Sequence, residues 1–194
     1  QTSLAVDPPD GRVPPLTPEA NHWYAEVERL RAGTPLDAPT PGGFVQDLGP
    51  RGLFTRCILG FNSGPPMAPQ SYNENVQIFQ TPNHVALLNE MVHSVRIIPL
   101  DGRPQLPKTI RQWVGDSRGR WDENTLVVTT TNFTDQVFDF GRTRPRGSGL
   151  ILVEKFTRTA DDTVLYQFTI TDPVAYTHLR AHETLRDRVC RRLH

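Results

Sequence analysis

The chain has 194 residues and is formally neutral, with 21 basic and 21 acidic side chains. That length suits one domain with a real core, and the charge balance supplies no basic field for nucleic acid. No stretch approaches the ~18 apolar residues of a membrane span, and the N-terminus has neither the basic start nor the apolar run of a signal peptide.

Residues 1–16 (QTSLAVDPPDGRVPPL) read as an extended arm punctuated by proline, with turn signals at Asp7-Pro8 and Asp10-Gly11. QTSLAVDPPDGR has the character of a surface loop, so a fragment of a longer protein is expected. A helix is predicted over 17–32. Thr17 can cap it, Pro18 suits the first helical position and Glu19 favours the positive end of the dipole. Trp23, Val27 and Leu30 share one face, a stripe expected to dock the helix on the body, and Gly33 stops it. Residues 33–75 are loop-rich and hold much of the chain's proline, including PTPGG, LGPRG and SGPPMAP. Such a long loop is functional or wraps the surface. Cys57 is expected to be a small buried hydrophobe, or half of a disulfide whose partner lies beyond the chain.

From 76 onward the pattern is that of strands. Val76–Thr81, His84–Met91, Val95–Leu100, Ile110–Trp121, Thr125–Phe133, Leu150–Arg158 and Thr163–Thr171 are separated by turn residues. Enrichment in β-branched and aromatic residues, with turns every eight to twelve positions, predicts an antiparallel meander. Sequential strands with short connections suggest an up-and-down barrel or half-barrel. Within Leu150–Arg158, Leu150, Leu152, Glu154, Phe156 and Arg158 share one face. Within Thr163–Thr171, Val164, Tyr166, Phe168 and Ile170 form a clean apolar face.

The last nineteen residues, 176–194 (YTHLRAHETLRDRVCRRLH), resemble the translated read-through of a sequencing adapter of the kind found in metagenomic assemblies. They are expected to be a non-native tail, leaving 1–175 as a single β-rich domain. Without them the body carries 16 basic and 19 acidic residues. A basic helix over Arg180–Arg192 or a metal on His178 and His182 are the functional alternatives. Lacking Pro and Gly, the segment is expected to be helical if ordered.

SLAVDPPDGRVPPLTPEA (3–20), NEMVHSVRIIPLDGR (89–103), GDSRGRWDENTLVVTTTNFTD (115–135) and FTRTADDTVLYQFTITDP (156–173) together resemble an uncharacterised family of exported bacterial β proteins. The resemblance spans essentially all of 1–175. It implies export to the periplasm or beyond and a lipocalin-like β architecture, and no reaction. Members continue past both ends of this chain. Strands supplied by those continuations would close the barrel, and their loss would leave open edges that invite self-association.

No standard catalytic or phosphate-binding motif is present. The densest polar run is Asn89-Glu90-Met91-Val92-His93-Ser94-Val95-Arg96, followed by Asp101 and Arg103. Glu90 and His93 are candidate acid/base partners, with Arg96 or Arg103 as anion contacts. The structural alternative is a Glu90–Arg96 cross-strand ion pair. A second run, Trp113 with Gly115–Trp121, offers Asp116 as a candidate base and Trp113 and Trp121 as stacking platforms. Its structural alternative makes Asp116 and Ser117 turn formers, with Gly115 and Gly119 at positive φ. His84, His93, Asp101 and Asp116 lack diagnostic metal spacing, so neither metal nor cofactor is expected. Arg142, Arg144 and Arg146 form a basic loop expected to be solvated.

The chain is therefore expected to be a mainly β, lipocalin-like barrel or half-barrel with one docked helix and a long proline-rich wrap. Its expected function is binding a small, largely apolar molecule. Trp113, Trp121, Tyr166 and Phe168 are the expected walls, and Glu90, His93, Arg96 and Arg103 the polar contacts. A cofactor-free enzyme using Glu90, His93 and Asp116 is the alternative, and an envelope module assembling through strand edges a third.

Overall fold

The computed structural model describes residues 5–7, 15–35, 56–60, 64–67, 73–134, 149–172 and 176–186. In chain order the elements are β1 (Ala5–Asp7), α1 (Pro18–Arg31), β2 (Val76–Gln80), β3 (His84–Asn89), β4 (Val95–Pro99), β5 (Asp116–Asp122), β6 (Thr125–Thr131), β7 (Ile151–Ala160), β8 (Thr163–Asp172) and β9 (Tyr176–Arg186). The strands form two antiparallel sheets, β2-β3-β4 and β1-β9-β8-β7-β6-β5. From β2 to β9 each strand follows its neighbour in sequence, except at the break between β4 and β5. The fold is thus mainly β and a meander, as the strand spacing implied. Among the described residues the two sheets do not join into a closed barrel.

Period-two alternation sorts each strand into a core face and an outer face. Val85 and Leu87 of β3 and Ile98 of β4 are buried against Leu126 and Val128 of β6. Leu152 and Phe156 of β7 join them with Tyr166, Phe168 and Ile170 of β8, so the sheets share one core. The predicted faces of β7 and β8 are the ones buried. Where β5 crosses the smaller sheet, Gly119 leaves room for the opposing strand. A Cβ there would lie 2.8 Å from Ile98 Cγ2 and 2.7 Å from Leu100 Cδ2. Gly119 serves this close approach and not a positive φ, whereas Gly115 does sit at φ 71°.

The helix starts as its chemistry dictates. Thr17 Oγ1 accepts the Ala20 N–H at 3.2 Å, Pro18 opens the first turn and Gly33 follows the end at φ 76°. Ala20 is buried beside Leu16. The expected docking stripe falls partly on the side chains of Trp23 and Val27, which lie outside those described.

Several expectations are corrected. Residues 110–115 are not strand. Gln112 makes a single isolated parallel bridge to Phe133, its N–H donating to Asn132 O and its carbonyl accepting from Thr134 N, while Gly115 N turns back onto the same carbonyl, so the pairing does not extend into a ladder. Asp116 and Ser117 are not turn formers but buried positions at the start of β5. Cys57 is exposed, at φ 53°, rather than a buried hydrophobe. Tyr176–Arg186 is a strand and not a helix, because pairing along β8 supplies ladder bonds that outweigh a weak helix preference. The expectation for the basic loop of Arg142, Arg144 and Arg146 falls outside the described residues.

Candidate functional site

Two tight turns, β5–β6 and β7–β8, close at the same end of the larger sheet, and β2 and β3 face them. A cavity of about 810 Å³ opens between. Its floor is apolar, from Ile78, Val85, Leu87, Leu126, Phe156 and Val164. These are inward positions of five strands, so the alternation that builds the core also builds the floor. The rim is polar: Gln80, Asn124, Arg158, Asp161, Asp162 and Thr163, with Trp121 on one side. Trp121 is 46 % exposed, the largest side chain at the mouth. Glu123 at φ 53° makes the β5–β6 turn tight, and the Thr125 and Thr157 hydroxyls, 2.8 Å apart, tie β6 to β7 beside it.

The rim cation is engaged. Arg158 Nε donates to Ala160 O at 3.1 Å, and its Nη2 donates to Asp161 O at 3.0 Å and Asp161 Oδ1 at 3.1 Å. Asp162 Oδ1 accepts only the neutral Thr163 hydroxyl, at 2.8 Å, among the bonds described.

A second cavity of about 390 Å³ runs along β4 and the start of β5. It brings together Arg96, Arg103 and Asp116, three of the residues singled out by sequence, with His84 and Arg118. The charged groups there hold the chain in place. Asp116 Oδ2 accepts the Leu106 N–H at 2.8 Å and Oδ1 accepts from Arg118 Nη1 at 2.6 Å. Arg118 in turn donates to the carbonyls of Arg103 and Pro104. Asn132 Nδ2 donates to the Leu106 and Pro107 carbonyls. Side chains thereby strap down a proline-rich stretch that cannot form its own ladder. Arg103 closes onto exposed Asp101, with Nε 2.9 Å from both carboxylate oxygens. That guanidinium, through direct hydrogen bonds, lowers the Asp101 pKa to about 2.

Glu90 and His93 belong to the β3–β4 turn and are exposed. Glu90 Oε2 accepts from Asn75 Nδ2 at 2.7 Å, and does not pair with Arg96. Neither cavity is lined by Glu90 or His93. The structure thus brings Asp116 to one groove and leaves the other two acid/base candidates on a separate turn.

Arg96 points into the core. Its Nη1 lies 2.5 Å from Glu154 Oε2 and its Nη2 2.9 Å from Oε1, with both residues buried (6 % and 0 % exposed). The Tyr166 hydroxyl donates to Glu154 Oε1 at 2.7 Å and accepts the Met67 N–H at 3.1 Å. Tyr166 also packs on Phe156 and Phe168 at ring-centroid distances of 4.9 and 5.8 Å. Tyr166 and Phe168 are therefore packed core beneath the cup and not its wall, and Arg96 is committed to a carboxylate rather than offered to a ligand. Burial opposes the Arg96 charge, but the facing Glu154 keeps the guanidinium above its ordinary value. Burial, then the Glu154 charge, pushes the Tyr166 phenol well above its own. Trp113 is half-buried beside Leu59, away from the cup.

Glu154 was not singled out by sequence as a site residue. The signal was present: a carboxylate in the middle of the Leu150–Phe156 apolar row requires a buried partner. Among the described residues no group of His, Cys, Asp and Glu is arranged to hold a metal. No described helix is long and apolar enough to cross a membrane. Comparison with known proteins finds no matching family model, no matching curated protein and no matching solved structure.

Proposed function

We propose that this chain binds one small, largely apolar molecule in the cup between the β5–β6 and β7–β8 turns. The observation that carries this reading is the cavity itself: about 810 Å³ with an apolar floor, a polar rim and a half-exposed tryptophan at the mouth. Ligand pockets of roughly 300–1,000 Å³ share that plan, with few polar groups setting orientation. Of the four expected aromatic walls Trp121 is the one that lines this cup, and rim groups take the place of Glu90, His93, Arg96 and Arg103 as polar contacts. The export implied by the family resemblance fits a carrier or scavenger in a bacterial envelope. The enzyme reading needs Glu90, His93 and Asp116 around one cavity, and no described cavity gathers them.

The test is a titration with the neutral fluorophore N-phenyl-1-naphthylamine. Saturable binding at one site is expected, with energy transfer from Trp121. Trp121→Leu is expected to weaken it, while Trp113→Leu leaves it unchanged. Absence of saturable binding by the folded chain would overturn the reading.

A further inference from the structure

The charges at the cup mouth are unequal, and that inequality bears on which molecules fit. Three charged side chains line the mouth among the described residues: Arg158, Asp161 and Asp162. Arg158 spends its Nε and Nη2 donors on two carbonyls and on Asp161. Nη1 is outside those bonds, but the charge it shares is already balanced by Asp161 in the ion pair. Asp162 holds a neutral hydroxyl and keeps its charge uncompensated by any described cation. Trp121 also lines the mouth and is 46 % exposed. A tryptophan face attracts cations through its quadrupole, and most strongly when apolar surface shields the pair from water. The floor of Leu87, Leu126 and Phe156 supplies such surface.

We propose, building on the binding reading above, that the cup selects amphiphilic organic cations: an apolar body seats on the floor and an ammonium or amidinium head rests between Trp121 and Asp162. The negative balance of the rim and the aromatic face act in the same direction. Both disfavour carboxylate ligands such as fatty acids, whose size would otherwise suit the floor.

Three competitors of equal chain length separate the possibilities: decyltrimethylammonium, decanol and decanoate. Each displaces bound N-phenyl-1-naphthylamine from the intact chain, below the concentration at which it forms micelles, at pH 7.5. The ammonium is expected to displace the probe at roughly tenfold lower concentration than decanoate, with decanol between them. Added salt narrows the gap. Asp162→Asn narrows it too, and Trp121→Leu removes the ammonium's advantage over decanol. If decanoate competes as well as the ammonium, the ligand class is wrong although the cup stands. A gap unchanged in Asp162→Asn overturns the role given to that carboxylate. If the probe itself does not bind, the cup reading and this inference fall together.

Discussion

Arg96 of β4 and Glu154 of β7 form a bidentate pair that spans the two sheets inside the core. Removing one member strands the other's charge in an apolar interior. Arg96→Met and Glu154→Leu are each expected to cost about 3–5 kcal/mol. The double variant is expected to recover much of that loss, since a packed apolar pair avoids the desolvation of both ions. Urea unfolding of the two single variants and the double variant measures the coupling. A double variant as unstable as the sum of the singles would contradict it.

Tyr166 makes stability sensitive to alkali. Its folded-state pKa is raised by burial and the neighbouring Glu154 charge, so its neutral form is favoured in the fold. The contribution is full below the ordinary phenol value of about 10 and falls as pH rises beyond it, because the unfolded chain then releases a proton that the folded chain keeps. Tyr166→Phe is expected to lose about 1–3 kcal/mol at neutral pH and to show a shallower decline above pH ~10. Denaturant midpoints at neutral and alkaline pH, with phenolate absorbance as the second signal, check both halves.

Asp116 should matter for a strap and not for turnover. Asp116→Ala removes the acceptor for the Leu106 N–H and the partner of Arg118. A loss of about 1–3 kcal/mol is expected, with faster proteolytic cleavage between Arg103 and Lys108. Unchanged cleavage there would show that the strap is held by other contacts.

Val92 lies at φ 51°, a left-handed conformation that suits glycine and crowds a β-branched side chain. Val92→Gly is expected to stabilise the chain by about 1 kcal/mol, provided Met91 stays buried beside Gly60. A thermal melt of the variant decides the sign.

Much of the sheet architecture is legible in the sequence because alternation is local. The faces of Leu150–Arg158 and Thr163–Thr171 can be read residue by residue, and the helix start at Thr17-Pro18-Glu19 is written in three positions. What escapes is whatever depends on pairing across distance. Glu90 and Asp101 are the carboxylates that flank Arg96 in sequence, yet the guanidinium reaches Glu154 on another sheet, which only the packing of β4 over β7 brings near. Asp116 resembles a turn residue because it follows Gly115, and its burial follows from a proline-rich stretch lying over β5. Tyr166 and Phe168 look like ligand walls for the same reason that they are core: an apolar inward face has one sequence signature for both. The cup mouth is set by two short turns, and nothing local to Asn124 or Asp162 announces that they meet.

The bond from the Met67 N–H to the Tyr166 hydroxyl also has a consequence for the order of events during synthesis. Its two ends are 99 residues apart in the chain. At about 5–20 residues per second, Met67 is synthesised roughly 5–20 s before its acceptor exists. The buried segment Gly64–Met67 therefore waits, exposed, for the C-terminal hairpin to arrive. Contacts of such long range form late and slow the overall reaction. A chain released before β8 is translated would carry the smaller sheet without the Tyr166 hydroxyl that Met67 N–H bonds in the finished fold.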